Sequence, residues 1–99
     1  MTEKELKRFT INFINEKVNE NEEYIRYSFY ELKIKNNLSD NEIDYVLKIS
    51  RDYFENKNYS VYFTNAKFEY QNAYRMVQPN ELLIAIKIGE ISNEFSKKI

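Results

Sequence analysis

The sequence predicts an α+β domain: three helices and a short strand, followed by a two-stranded β-hairpin. Three observations predict it. Through residue 56, apolar side chains recur mainly at three- and four-residue spacing, the period of a helix with one buried face. Three capping boxes, Thr2–Glu5, Ser28–Glu31 and Ser39–Glu42, mark where helices begin. At residue 59 the period changes from 3.6 to 2, the signature of strands with one buried face.

The first helix spans 3–18, with Leu6, Phe9, Phe13, Ile14 and Val18 on its inner side. The run N-E-N-E-E at 19–23 ends it in a polar loop. Tyr24 to Tyr27 is short, aromatic and β-branched, and reads as a strand. Ser28 opens a second helix to Lys35, with Phe29 and Leu32 inward. Asn36-Asn37 stops it, because asparagine tolerates the left-handed conformation of a C-terminal cap. The third helix covers 39–56, with Leu38 and Ile43 spaced as a hydrophobic staple. Its inner face carries Ile43, Val46, Leu47, Ser50, Tyr53 and Phe54.

Residues 59–88 read as one long hairpin. Tyr59, Val61 and Phe63 alternate with Ser60, Tyr62 and Thr64, while Leu82, Ile84, Ile86 and Ile88 form the inner face of the returning strand. Taking Gln71-Asn72 as the turn sets Tyr70 opposite Ala73 and Phe68 opposite Arg75. The same register sets Val61 opposite Leu82 and Tyr59 opposite Ile84. Pro79-Asn80 predicts a bulge or bend. Unbent, residues 59–70 would extend on the order of 40 Å, so the tip should protrude. Residues 91–99 read as a C-terminal tail or short helix.

Ninety-nine residues suit one domain large enough to bury a core without metal or disulfide help. The chain has no cysteine and no histidine, which removes disulfides, thiolate nucleophiles and the common zinc ligands. Its only glycine is Gly89, so there is no glycine-rich phosphate loop, and Glu22-Glu23 lie in a polar loop without a partner base. The chain therefore reads as a non-enzyme without a cofactor. No run approaches the roughly 20 apolar residues of a membrane span, and the first residues lack a signal peptide's apolar core. That reads as a cytoplasmic protein with no membrane partner.

The net charge of −1 is far from the basic balance of a general nucleic-acid coat. Its distribution is uneven: residues 36–58 carry three basic and five acidic side chains, and residues 59–88 carry three and two. Thirteen asparagines and nine tyrosines hint at an AT-rich genome of a bacterium, phage or plasmid.

In element order and spacing, residues 3–88 resemble a winged helix-turn-helix domain. Ser28–Lys35 corresponds to its second helix, Ser39–Asn56 to its recognition helix and 59–88 to its β-wing. The resemblance implies double-stranded DNA as partner, with the recognition helix in the major groove and the wing against a neighbouring groove or phosphates. Carried over, the helix would present Asn41, Tyr45, Lys48 and Arg51. Asp40, Glu42, Asp44 and Asp52 place negative charge on the same helix, which opposes phosphate contact. The wing is better suited. Gln71 and Asn72 suit base edges, Arg75 suits guanine or a narrow minor groove, and Tyr70 and Tyr74 suit sugars and phosphates, with Lys67 lower on the arm. A plainer reading makes the tip aromatics a cross-strand pair that stabilises the hairpin, or a dimer contact.

Two function classes follow. The first is a sequence-specific DNA-binding homodimer of a mobile element. It is similar to winged-helix relaxosome accessory proteins, which bind a conjugative plasmid's origin of transfer beside other proteins of a DNA-processing complex. A small phage or plasmid repressor is equally compatible. The second is a protein-binding module, such as a phage-encoded inhibitor of a host defence complex, favoured by the acidic helix.

Overall fold

Helix α1 (Glu3–Glu20) begins at a formed capping box. The Glu5 N–H donates to Thr2 Oγ1 at 3.1 Å, and the Thr2 N–H donates to the Glu5 carboxylate at 2.8 Å. Helix α2 (Asp40–Asn56) repeats the device with Ser39 and Glu42, at 3.2 and 2.8 Å. Each box satisfies amide groups that a helix start otherwise leaves without partners. Glu42 also receives the amino-terminal ammonium at 3.0 Å, which ties the start of α1 to the first turn of α2. This computed structural model describes residues 1–63 and 81–88.

These boxes give a pH prediction. The Thr2 backbone N–H holds the Glu5 carboxyl below its ordinary value, and the Ser39 N–H, helped by the amino terminus, does the same for Glu42. Their folded-state pKa values lie below the unfolded ones. The stability they contribute is therefore present above the unfolded pKa and is lost as pH falls through the lower folded value. In an NMR titration both carboxyls should protonate below the ordinary glutamate range. Protonation within that range would mean that the boxes are frayed in solution.

Strand β1 (Tyr24–Ser28) runs into a π-helix over Tyr30–Lys35, where an α-helical turn was expected. Ser28 ends the strand, yet still accepts from the Glu31 N–H at 3.0 Å while its own N–H donates to the Glu31 carboxylate at 3.1 Å. The Asn36 N–H donates to the Glu31 carbonyl five positions earlier at 3.1 Å, and the Asn36 side-chain amide donates to the same oxygen at 2.7 Å. That double attachment favours the wider turn over the α-helical one. Asn37 follows in the left-handed conformation, φ 54°.

Strands β2 (Tyr59–Phe63) and β3 (Glu81–Lys87) complete a three-stranded antiparallel sheet in the order β1-β3-β2. The helices pack on one face. Phe13 of α1 meets Tyr27 of β1 edge to face at 4.8 Å between ring centres, and Phe54 of α2 meets Tyr59 of β2 at 4.9 Å. Leu32, Ile43, Val46, Phe54 and Leu83 are fully buried among them. Phe9, Val18 and Leu47 lie at the margin of this core, and Tyr53, expected inside, is exposed. Two polar residues are buried without loss. The Tyr27 hydroxyl donates to Ser50 Oγ at 2.8 Å, and Thr10 Oγ1 donates to the Leu6 carbonyl at 2.7 Å. Burial pushes the Tyr27 phenol well above its ordinary pKa, so it stays a neutral donor.

The strand register differs from the expected one. Val61 pairs with Ala85 and Tyr59 with Lys87, where Leu82 and Ile84 were expected. The displacement is three residues. An odd displacement moves every side chain of the strand to the opposite face. Leu83 and Ala85 therefore face the helices and are fully buried, while Ile84 and Ile86 are half-buried on the outer face and Ile88 is exposed; Leu82, next to the register irregularity, is buried as expected. Pairing with β1 adds a second constraint. Ile25 lies opposite Ala85 and Tyr27 opposite Leu83, with a register irregularity between Tyr27 and Ser28. Under the helices, between Ile25 and Val61, β3 places its smallest side chain, and the bulkier Ile84 and Ile86 take the outer face.

Candidate nucleic-acid interface

The staple at the start of α2 sets which of its faces turns outward. Leu38 and Ile43 are both buried, so the helix is anchored by its first turn and presents Asn41, Asp44 and Lys48 to solvent. Of the four residues expected to reach DNA from this helix, Asn41 and Lys48 are exposed, Arg51 is half-buried and Tyr45 packs against the core margin. Lys67, Tyr70, Gln71, Asn72, Tyr74 and Arg75 lie outside the described residues, as do Pro79-Asn80 and residues 91–99. They belong to the segments that join Phe63 to Glu81 or follow Ile88.

Lys48 and Arg51 are brought together with a residue the sequence reading did not single out. Asp44, Leu47, Lys48, Arg51 and Phe63 surround a shallow recess of about 310 Å³. The Arg51 guanidinium lies over the Phe63 ring, 5.5 Å from its centre. In the sequence Phe63 stands out only as an alternating strand residue with Tyr59 and Val61. A signal for the contact was nonetheless present. Arg51 and Phe63 stand six residues either side of Lys57, and the chain reverses there through Asn58 in the left-handed conformation, φ 68°. A helix that folds back onto its following strand brings such positions together.

The acidic residues of α2 are not equivalent. The Glu42 carboxylate is engaged by the capping box and the amino terminus, and Asp40 lies 3.5 Å from Lys33. Both also sit at the helix start, where the macrodipole favours negative charge. Asp52 lies 3.6 Å from Arg51 Nε. Asp44 lines the recess one helical turn before Lys48. Negative charge at the first turn of α2 is therefore structural in origin, whereas Asp52 stands beside Arg51 and Asp44 shares a recess with Lys48.

A second recess of about 280 Å³ lies between α1 and the π-helix, lined by Phe9, Glu16, Lys17, Glu31 and Lys35 among others. Lys17 bridges to Glu31 at 2.5 Å and lies over the Phe13 ring, so its charge is spent on packing α1 against the π-helix.

No family model, curated protein or solved structure matches this chain. Function therefore rests on the geometry above. Among the described residues, no group of three or more His, Cys, Asp or Glu side chains is placed to hold a metal ion, and no helix is long and apolar enough to cross a membrane.

Proposed function

We propose that this protein binds double-stranded DNA sequence-specifically, as a small winged-helix protein of a mobile element. The role would be that of an accessory factor at a plasmid origin of transfer or a small regulator. What supports the reading is the strand order β1-β3-β2 combined with the element order helix, strand, helix, helix, strand, strand. It sets α2 beside β2, from whose end the segment bearing Lys67 to Arg75 departs. The helix candidates thus lie beside the strand that the wing segment follows in sequence, an order compatible with joint contact on one duplex. The wing carries the larger share, because Asp44 and Asp52 offset the cations of α2 while residues 59–88 hold a slight basic excess. Two copies would lengthen the site and raise affinity, so a homodimer is the working unit.

The test is fluorescence anisotropy with a labelled duplex enriched from a random-sequence library, repeated across salt concentrations. Affinity should fall steeply as salt rises, as expected when phosphate charges are neutralised. Absence of any binding at low salt would overturn the DNA reading. It would favour the alternative, a protein-binding module that inhibits a host complex. The exposed carboxylates Asp40, Asp44, Asp52 and Glu55 along α2 are the observation behind that alternative.

A further inference from the structure

We infer that Phe63 is a positioning residue, holding the Arg51 guanidinium ready for a backbone phosphate where α2 meets β2. This rests on the DNA-binding reading and adds to it a residue at the junction of helix and wing. Phe63 is the last described residue of β2 and remains 47% exposed, although its place in the strand alternation turns it toward the helices. An aromatic ring so far in water adds little to the core. What it touches is Arg51, whose guanidinium stands 5.5 Å from the ring centre.

A guanidinium resting on a ring loses rotational freedom yet keeps its N–H groups available for an acceptor such as phosphate. Lysine can also rest on a ring, as Lys17 does on Phe13, but its compact ammonium has no plane to stack and no fork of N–H groups to offer a phosphate. Lys48 lines the same recess one turn earlier and supplies a second cation. Two carboxylates stand nearby. Asp52 lies 3.6 Å from Arg51 Nε, and Asp44 lines the recess near Lys48. At 3.6 Å from Nε, beyond hydrogen-bond length, Asp52 offsets part of the guanidinium charge without closing its N–H groups to an acceptor. Asp44 would repel a phosphate seated deep in the recess. The phosphate accordingly meets Arg51 at the rim, on the side of Phe63.

The experiment is a double-mutant cycle on the full chain, with the enriched duplex as probe. Phe63→Ala should weaken binding about two- to five-fold, the range of an exposed cation–π contact. It should have no further effect once Arg51 is replaced by alanine. Arg51→Ala should also lower the slope of log affinity against log salt by about one. Phe63→Tyr should retain wild-type binding, and Phe63→Leu, which keeps apolar bulk without a ring, should behave like Phe63→Ala. Melting curves should be close to wild type for all of these, because the ring is half in water. Equal losses from Phe63→Ala in the wild-type and Arg51→Ala backgrounds would overturn the inference while leaving DNA binding intact. Failure of the wild-type protein to bind any enriched duplex would overturn the DNA reading itself.

Discussion

Phe54→Ala should destabilise the domain by about 3–5 kcal/mol, the usual cost of emptying a fully buried aromatic site. Phe54 is fully buried and joins three elements. Its ring lies 4.9 Å from Tyr59 of β2 and 6.5 Å from Tyr27 of β1, so α2 meets two of the sheet's strands through this one side chain. Its removal also loosens the surroundings of the Tyr27–Ser50 hydrogen bond, which is stable only while water is excluded. A domain of this size has on the order of 5–15 kcal/mol in total, so the variant should be near the edge of folding. Chemical denaturation read by circular dichroism measures the loss. A change below about 1 kcal/mol would show that α2 does not pack on the sheet through Phe54.

Arg75→Ala and Asn72→Ala should each weaken binding to the enriched duplex by about 1–3 kcal/mol, roughly five- to 150-fold, as expected for residues that read base edges. Lys48→Ala should cost less, and evenly across duplex sequences, since a lysine acts on phosphate as a point charge. The arrangement of α2 supplies the reason for the ranking. Lys48 shares its recess with Asp44, and Arg51 has Asp52 beside it, so each helix cation has a carboxylate near it. Arg75 has no acidic residue within five positions on either side in the chain. Anisotropy titrations of the three variants decide the matter. A larger loss from Lys48→Ala than from Arg75→Ala and Asn72→Ala would return the dominant contact to the helix.

Much of the fold was legible because its determinants are local. The capping boxes at Thr2 and Ser39 depend on residues three apart and form as expected. The left-handed Asn37 and the buried staple of Leu38 with Ile43 likewise follow from neighbours in sequence. The misses are non-local. Alternation puts Ile84 and Ile86 inside, and a turn at Gln71-Asn72 gives the same register, whereas β3 is pinned by partners on both sides, Ile25 and Val61 meeting at Ala85. Leu82 to Ile86 is apolar at every position, so periodicity could not choose a face for it. The burial of Thr10 is rooted nearby, in its bond to the Leu6 carbonyl, but its full exclusion from water depends on packing.

At the candidate site the same division holds. The cations and amides of α2 were found from helical spacing, which places Asn41, Tyr45 and Lys48 along one side. That Tyr45 packs at the core margin while Arg51 rests on Phe63 was decided by how α2 lies against β2. By itself the sequence determined the α+β class, the helix starts and the residue types available for contact, because caps and periodicity act over a few residues. Tertiary structure decided the strand register, the face of β3 that is buried and the pairing of Arg51 with Phe63. Those features depend on contacts between segments far apart in the chain, where excluded volume and burial choose among alternatives that local preference leaves equal.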